Sequence, residues 1–403
     1  MNKVLTTILD IGEEMLLCGA EVGRVEDSLK RMGTALGAVR VDAFIITSSM
    51  VITLHAEGRD PLTQTRRVVN VGTDIGRLHR LNDLVRRVSE NKLSCDEAEV
   101  ELKEIKQLRR YPFIFEVVSY AAISGAFTLF FGGGWVEAAC SFIIGMILSL
   151  VVLATSKTGL NKIFARLVSS FVSITLAFVF LYIGAIDGVD NVIIGNIMTL
   201  IPGVGLTTAL RDLFVGDSIT GLLRTIEAAL FALAIAGGYF LSAFIMRATP
   251  GGYSGGVSDP LLQIITGFIG SVGFAVLYNI RGIRFLFASL GGLFSWSMFL
   301  GLGYLVPNEI ARYFIVAALI SLYAEIMARV LKTPTTTFII TSLIPLIPGS
   351  SLYYTMTNAF LRNGVDFIER GIITLSLAGA LAAGIIVVAG LAKIFKRAKN
   401  GTR

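Results

Sequence analysis

Leu200-Ile201-Pro202-Gly203 and Leu346-Ile347-Pro348-Gly349 are two copies of one motif, 146 residues apart (346 − 200), each inside a long apolar segment. A Pro-Gly pair interrupts the backbone hydrogen bonding of a helix, and a lipid bilayer offers no replacement partners. Such a break is tolerated in a membrane only where the backbone is buried in protein or lines a watery cavity. Broken helices at corresponding positions of two halves are typical of a transporter's substrate site. The motif therefore predicts a membrane transporter.

The composition excludes a soluble globular protein. Of 403 residues, 54% are hydrophobic and 16% are charged, and the mean hydropathy is +0.73. Residues 1–111 hold 17 basic and 17 acidic residues, whereas residues 112–403 hold 18 and 12, so the net charge of +6 lies in the apolar part. No basic run alternates with aromatic residues, which argues against a nucleic-acid partner. The three cysteines form no C-x-x-C pair or even-numbered set, which argues against a disulfide scaffold.

The first 110 residues are soluble-like and predict a small cytosolic α+β domain. Apolar residues recur at helical spacing from Val4 to Met32, with a break expected near Gly19. Residues 41–56 are rich in β-branched types, and a second extended piece is expected at 63–70. Acidic residues from position 10 onward interrupt the first apolar stretch, so we expect no cleaved signal peptide and a cytosolic N-terminus.

Ten membrane spans are predicted after this domain. The short loops assigned to the cytosol are rich in Lys and Arg, and the loops assigned outside hold only Arg247, Arg312 and Arg362. This asymmetry predicts that both termini lie in the cytosol. The spans are expected at about 112–131, 134–154, 163–186, 191–210, 219–246, 259–279, 283–304, 310–330, 335–355 and 368–391.

The spans divide into two sets of five. Because five is odd, the second set must run upside down relative to the first, which is an inverted-topology repeat. Ser124, Phe127 and Gly145 match residues 147 positions later, and Arg224 matches Arg370 at 146. We therefore predict a cytosolic domain at 1–110, a first repeat at 111–247, and a second repeat with a basic cytosolic tail at 248–403.

Several motifs together resemble the threonine/serine exporter (ThrE) family. The stretch GAEVGRVED at 19–27 looks like the signature of that family, and TRRV at 65–68 and LNDL at 81–84 resemble its later cytosolic motifs. IPGVGLTTALRDLFVGDSITGLLRTIEA at 201–228 is similar to the family's PGxxxTNAxRDxxxGDxxxGxxRxxEA stretch, although Thr208 stands where the family commonly has Asn. LIPGSSLYYTMTNAF at 346–360 resembles a smaller partner subunit that some members encode separately.

The resemblance implies a natural fusion of both subunit types. The larger type would supply the cytosolic domain and five spans, and the smaller type would supply the other five. It also implies export of small amino acids or, in some members, of a dicarboxylate such as succinate.

The two breaks carry the predicted substrate site. Helix-end N–H groups and hydroxyls there can hold a carboxylate, and freed carbonyls can hold an ammonium group. The competing interpretation is that Pro and Gly only kink the helices for packing. The predicted substrate-binding residues are Asn196, Thr199, Pro202, Gly203, Thr207, Thr208, Arg224, Glu227, Pro348, Gly349, Ser350, Ser351, Tyr353, Tyr354 and Asn358.

Ionisable residues inside spans are costly and therefore candidates for function. Glu227 and Glu325 are predicted proton-coupling carboxylates, although each also has an arginine three or four residues away and could form a structural pair. Arg211 and Asp212, at the exit of span four, are predicted either as a gate or as a topology anchor. Arg24, Arg66 and Arg67 could recognise a carboxylate, but solvated salt bridges explain them more simply.

An enzyme is the least favoured alternative. Gly252-Tyr253-Ser254-Gly255-Gly256 fits the G-x-S-x-G pattern of serine hydrolases, but it lies in a Gly-rich loop with no preceding strand. The two histidines, His55 and His79, are too few for a metal site. No Walker-type phosphate-binding motif is present, so we expect a secondary transporter without a cofactor or metal.

The sequence therefore predicts a proton-coupled antiporter that exports threonine, serine or similar amino acids by alternating access. The alternatives are a dicarboxylate exporter of the same fold, a membrane-bound hydrolase and a passive channel. The expected partners are a small-molecule substrate, protons and the lipid bilayer, with a homo-oligomer left open and no nucleic acid. The expected location is the plasma membrane.

Overall fold

The computed structural model describes residues 1–69, 71–248, 258–360 and 364–401. The chain forms two compact units. The first comprises Met1–Tyr111, Asp217–Leu223 and Tyr278–Arg281, and the second comprises Pro112–Gly216, Arg224–Leu277 and Gly282–Arg403. A division of the membrane part at position 247 stays a prediction.

The first unit is an α+β fold with a three-stranded antiparallel sheet in the order β1-β2-β3. Its apolar helix faces are buried, and Leu29 and Met32 of the second helix are fully inaccessible. Its elements are α1 (Asn2–Leu17), α2 (Val22–Ala35), β1 (Arg40–Ile46), β2 (Ser49–His55), β3 (Leu62–Arg67), α3 (Ile75–Ser89) and α4 (Cys95–Lys106).

Local sequence signals explain the boundaries of these elements. The expected helix break is confirmed at Gly19, whose φ of +88° favours glycine. The region 41–56 forms two paired strands rather than one extended piece, because Ile46 pairs with Ser49 across a two-residue turn. A capping box at Ser94 and Glu97 begins α4, since each side chain bonds the other residue's backbone N–H.

The second unit is entirely helical in the residues that are described. α5 packs against α6, α8 and α11, and α16 packs against α9, α13 and α15. The helices are α5 (Phe113–Phe130), α6 (Trp135–Lys157), α7 (Lys162–Tyr182), α8 (Asp190–Ile197), α9 (Gly203–Val215), α10 (Ser218–Met246), α11 (Pro260–Leu277), α12 (Ile283–Leu302), α13 (Glu309–Val330), α14 (Thr336–Leu343), α15 (Gly349–Phe360) and α16 (Gly364–Gly401); a 3-10 turn covers Ile344–Leu346.

The protein is a helical polytopic membrane protein. Among the described residues, eight helices are long and apolar enough to cross a bilayer, and α14 with α15 forms a ninth candidate that is bent by 55°. The described residues therefore support eight or nine membrane spans where ten were predicted. The predicted span at 191–210 is two short helices, α8 and α9, which do not meet the same length and composition criteria together.

The helices of the two halves begin at a constant spacing. The six helices α5 to α10 begin 146 to 148 residues before the corresponding helices α11 to α16, as at Gly203 and Gly349 (349 − 203) and at Trp135 and Ile283 (283 − 135). The sequence repeat rests on a few matching residues, whereas the repeat in helix positions includes every helix from α5 to α16.

Close helix contacts recur at the same spacing. Gly145 has no room for a Cβ atom because Ser124 lies against it, and Gly292 is covered in the same way by Ser271. A Cβ atom on Gly384 would lie 2.5 Å from the carbonyl oxygen of Phe314. The corresponding Gly238 faces the corresponding backbone of α7 in the same way. Both halves thus use glycine where two helices cross closely.

Candidate functional site

The first break lies between α8 and α9. Pro202 precedes α9 with a ψ of 42°, outside the helical range. Arg166 on α7 donates a hydrogen bond from Nη1 to the carbonyl oxygen of Leu200. The guanidinium carbon of Arg166 lies 4.0 Å from the ring centre of Phe231. Arg166 therefore occupies a carbonyl that the break has released from the helix.

Asn196 supplies a buried polar atom next to this break. Its Nδ2 donates to the carbonyl oxygen of Val192 at 2.7 Å, and Thr199 Oγ1 donates to its carbonyl oxygen at 3.2 Å. The Asn196 side chain is inaccessible, and its Oδ1 accepts no hydrogen bond from any residue that the structure describes. A buried acceptor without a donor costs about 1–3 kcal/mol, so this atom is suited to accept a hydrogen bond from a ligand.

The second break follows the 3-10 turn that ends at Leu346. Ile347 is extended, with φ −62° and ψ 126°, and the buried Pro348 follows it before α15 begins. Ser351, in the first turn of α15, accepts a hydrogen bond at its Oγ from Thr374 Oγ1 at 2.9 Å. This bond ties the broken segment to α16.

The two breaks touch each other. A Cβ atom on Gly349 would lie 2.5 Å from Met198 Sδ and 3.4 Å from Ile201 Cδ1. Gly349 begins α15, and Met198 and Ile201 lie in the first break. The absence of a side chain at Gly349 thus allows the two irregular segments, far apart in sequence, to meet.

Asp190 joins the two broken segments through a buried hydrogen bond. Tyr353 on α15 donates its hydroxyl to Asp190 Oδ1 at 2.8 Å. Asp190 is 4% exposed and Tyr353 is 2% exposed. The ring of Tyr239 on α10 packs edge-on against Tyr353, with 5.9 Å between the ring centres.

Sequence reasoning predicted Tyr353 but missed Asp190, Arg166 and Tyr239. Asp190 lies one residue before the predicted start of span four and was therefore counted as a loop residue. The signal for Arg166 was present, since Ala165-Arg166 repeats as Ala311-Arg312, but Arg166 was counted only among the basic residues of the cytosolic loops. No sequence pattern marks Tyr239.

Arg211, Asp212 and Arg224 form one ion cluster. Asp212 accepts from Arg211 Nη2 at 2.9 Å and from Arg224 Nη1 at 2.7 Å, and it is 8% exposed. Arg224 therefore pairs with Asp212, and not with Glu227, the pairing that the sequence had allowed. Arg211 and Arg224, which could bind the second carboxylate of a dicarboxylate substrate, therefore already share the carboxylate of Asp212.

The two predicted proton-coupling carboxylates have different surroundings. Glu227 has an exposed side chain and makes no hydrogen bond or ion pair with a residue of either break in the described structure. Glu325 is partly buried, accepts from Arg329 Nη2 at 3.0 Å, and accepts from Thr335 Oγ1 at 3.1 Å. Because Thr335 directly precedes α14, Glu325 is linked to the start of the second broken segment.

The remaining predicted residues lie on the helices that follow the breaks. Thr207 is buried, and Thr208 donates to the carbonyl oxygen of Gly205 at 3.0 Å within its own helix. Tyr354 stacks edge-on against Tyr353 at 5.1 Å. Ser350 and Asn358 are half-buried.

Outside the breaks, an arginine and a histidine side chain of the first unit bond to acidic residues of that unit. Arg66 pairs with Asp10 at 3.0 Å inside the first unit, as expected for a salt bridge. His55 hydrogen-bonds with Asp42 at 3.0 Å. The G-x-S-x-G stretch at 252–256 lies outside the described residues.

Comparisons with known proteins match regions of the chain that include both breaks. A family model for threonine/serine exporters (ThrE) matches residues 6–246, and a second ThrE model matches residues 263–390. A threonine/serine exporter of Corynebacterium glutamicum is 22% identical over 409 residues, covering 98% of this chain and 83% of that protein.

Other relatives match about 60% of the chain. The "probable succinate transporter subunit YjjP" of Escherichia coli is 24% identical over 245 residues, covering 60% of this chain and 95% of that protein. A "probable threonine/serine exporter" of Mycobacterium tuberculosis is 23% identical over 244 residues, covering 60% of this chain and 46% of that protein. No solved structure gives a significant match. With one family model spanning more than half of its length and a second covering most of the remainder, the chain belongs to the threonine/serine exporter family, and the names of the family and of these relatives indicate a transporter.

Proposed function

We propose that this protein exports threonine, serine or similar small amino acids across the plasma membrane, by alternating access at the two broken segments. The observation that carries the proposal is the contact between the breaks, where Gly349 meets Met198 and Ile201. A substrate held between two halves that can rock against each other can be exposed to either side in turn.

The chemistry at the breaks supports a substrate with a carboxylate. α9 and α15 both begin there, and the first N–H groups of a helix have no partner within it. Helix N-termini also carry partial positive charge, which favours an anionic group. Nearby polar side chains such as Asn196 and Ser351 can hydrogen-bond the rest of a small hydroxylated substrate.

The repeated helix spacing supports the inverted-topology arrangement. Five-span halves of opposite orientation, with both termini in the cytosol, are consistent with the basic residues of the assigned cytosolic loops. In this arrangement the two breaks approach the middle of the bilayer from opposite sides.

Protons are the proposed coupling ion, and Glu325 is the better supported of the two predicted carboxylates. Protonation of Glu325 would weaken its bonds to Arg329 and to Thr335, and Thr335 begins the second broken segment. An entering proton releases about 2.3 kcal/mol per 100 mV of membrane potential, which can drive export against a gradient. Glu227, which is exposed, is the weaker candidate.

A dicarboxylate is the second candidate substrate. The relatives named as succinate transporter subunits favour it, and they align with the larger part of the chain. Arg211 and Arg224 are the nearest candidates for a second carboxylate, but both are engaged by Asp212. The amino-acid proposal is therefore preferred.

Export from cells loaded with threonine-containing dipeptides tests the proposal. Wild-type cells should release threonine faster than vector cells, and both an uncoupler and Glu325→Gln should abolish the difference. Glu309→Gln, which changes an exposed carboxylate of the same helix, is the matched control and should export normally. Release of succinate but not of threonine or serine would overturn the amino-acid proposal.

A further inference from the structure

Asp190 is a buried carboxylate that lacks a countercharge. Its only described side-chain partner is the hydroxyl of Tyr353, and no Lys, Arg or His nitrogen of the described chain pairs with it. A hydroxyl donates a hydrogen bond but brings no positive charge. Because an ionised carboxylate in a protein interior is costly unless it is paired, the site favours a ligand that carries a positive charge.

The elements around Asp190 do not supply this positive charge. α8 packs against α5, α6, α7 and α15. Arg166 on α7 is held by Leu200 and Phe231, and the guanidinium carbon of Arg370 on α16 lies 5.9 Å from the ring centre of Tyr354. The charged residues on these packed helices, none of which forms an ion pair with Asp190 in the described structure, are Glu116, Glu137, Lys157, Lys162 and Arg166.

Aromatic rings surround Tyr353, the hydrogen-bond partner of Asp190. The ring of Tyr353 lies 5.9 Å from that of Tyr239 at 81°, and Phe178 lies 6.4 Å from Tyr239. Tyr354 extends the group on the other side of Tyr353. The faces of aromatic rings attract cations, and a carboxylate among such rings is a suitable setting for an ammonium group.

The cluster is connected to the breaks. Tyr353 follows Gly349 by four residues, about one helical turn or 6 Å, and Gly349 contacts the first break. The ammonium and carboxylate groups of an amino acid are attached to the same carbon. A cation site at Asp190 and an anion site at the N-terminus of α15 therefore suit the two ends of one small zwitterion.

We propose that Asp190 binds the ammonium group of the transported amino acid. The hydroxyl of Tyr353 orients the Asp190 carboxylate for this contact. The inference rests on the proposed function and sharpens it, because it makes Asp190 the residue that selects an amino acid over a dicarboxylate. A dianion has no group for this site and would be repelled by it.

Ligand-dependent melting of the purified full-length protein tests the assignment. L-Threonine should raise the melting temperature of the wild type, and 3-hydroxybutyrate, which is threonine without the amino group, should not. Asp190→Asn should weaken threonine binding by at least about tenfold, as expected when one partner of a buried charge pair is removed. Tyr353→Phe should weaken it less, and Asp190→Glu should retain part of it.

Asp187→Asn is the matched control, because it makes the same change at an exposed position three residues earlier. It should bind threonine like the wild type. The melting temperature without ligand shows whether each variant is folded. If Asp190→Asn does not fold, Tyr353→Phe and Asp190→Glu still test the assignment.

Three results would overturn the assignment, and they differ from one another. If Asp190→Asn binds threonine as tightly as the wild type, the assignment is wrong while the proposed function stands. If the variant keeps threonine binding and exchange in vesicles but loses accumulation driven by a pH gradient, Asp190 is a proton site instead. If the wild type binds succinate but neither threonine nor serine, the proposed function fails together with the assignment.

Discussion

At the scale of single residues, Asp212 is the shared partner of two arginines. Removing its charge by Asp212→Asn leaves Arg211 and Arg224 without their carboxylate in a largely buried cluster. Breaking a buried ion pair in this way costs up to about 3–5 kcal/mol. We expect a lower melting temperature in detergent for this variant.

A double-mutant cycle separates this pair from a general loss of packing. Adding Arg224→Met to Asp212→Asn should cost less than Arg224→Met costs in the wild type, because one of the two unpaired charges is then removed. Additive losses from the two substitutions would contradict the pairing. If transport per folded molecule also falls in Asp212→Asn, the cluster acts as a gate rather than as an anchor alone.

Glu26 makes the stability of the first unit depend on pH. It accepts a hydrogen bond from the backbone N–H of Ile45 at 3.3 Å, and burial raises its pKa above the ordinary value of 4.5. A raised carboxyl pKa means that the folded state binds the proton more tightly than the unfolded state. Protonation therefore adds stability as the pH falls through the folded pKa towards 4.5, and this contribution is lost as the pH rises.

Glu26→Gln should accordingly stabilise the first unit at pH 7, and its advantage should shrink as the pH falls towards 4.5. Hydrogen exchange of β1 in the full-length protein, corrected for intrinsic rates, measures this difference. Glu57→Gln, at an exposed turn position, should have no effect. Faster exchange of β1 in Glu26→Gln at pH 7 would contradict the expected sign.

Some site residues are marked by a local sequence pattern, whereas others are defined only by contacts with residues that are distant in the sequence. Pro202, Pro348 and Gly349 could be predicted because a local pattern breaks a helix within a few residues. Asp190 could not, because its hydrogen-bond partner Tyr353 is 163 residues away in the sequence. Glu227 was favoured by its motif, but its exposure depends on which face of α10 packs inward, which its local sequence does not determine.

At the scale of helices, glycine determines how closely α16 approaches α13. A Cβ atom on Gly384 would lie 2.5 Å from the carbonyl oxygen of Phe314 and 2.9 Å from the backbone nitrogen of Ala318. These are backbone atoms, so the helices must separate to make room. Gly384→Ala should destabilise the protein by about 1–3 kcal/mol, the usual cost of overpacking.

Gly379→Ala on the same helix is the control, because nothing lies within 4 Å of the added Cβ atom. It should be neutral, or stabilising by up to about 1 kcal/mol, since alanine favours a helix more than glycine does. Thermal melting in detergent compares the two variants. Equal melting temperatures would contradict the close crossing of α13 and α16.

The helices themselves were largely predictable, and their breaks more so than their contacts. Long apolar segments predicted the eight continuous membrane helices within a few residues, except that α16 continues to Gly401, ten residues beyond the predicted end (401 − 391). The region 191–210 was predicted as one span broken at Pro202, and the structure has two short helices, α8 and α9, on either side of this break. The turn between β1 and β2 was missed because Thr47 and Ser48 are not strong turn residues.

At the scale of the whole molecule, the first unit is built from three separate parts of the chain. The segment Tyr278–Arg281 joins it through several bonds. Ile75 N donates to the Tyr278 carbonyl oxygen at 2.9 Å, and Asn279 Nδ2 donates to Asp74 Oδ1 at 2.9 Å. A segment between α11 and α12 is therefore part of the same unit as the N-terminal residues.

Cleavage at an engineered protease site between Tyr111 and Pro112 tests this arrangement. The two fragments should stay together during gel filtration in detergent, because Tyr278–Arg281 remains bound in the first unit. Asn279→Asp places a second carboxylate beside Asp74 and should release the N-terminal fragment. Asn82→Asp, whose amide bonds only within α3, should not. Separation of the wild-type fragments would contradict the account.

The two breaks meet at Gly349, and we expect transport to require that they move relative to each other. The most direct test is threonine exchange in vesicles by a protein whose native cysteines are replaced and which carries Met198→Cys with Gly349→Cys. Cross-linking this pair should stop exchange, and reduction should restore it, whereas the single-cysteine variants should be unaffected by the oxidant. A pair that cross-links fully and still exchanges threonine at the uncross-linked rate would contradict the claim.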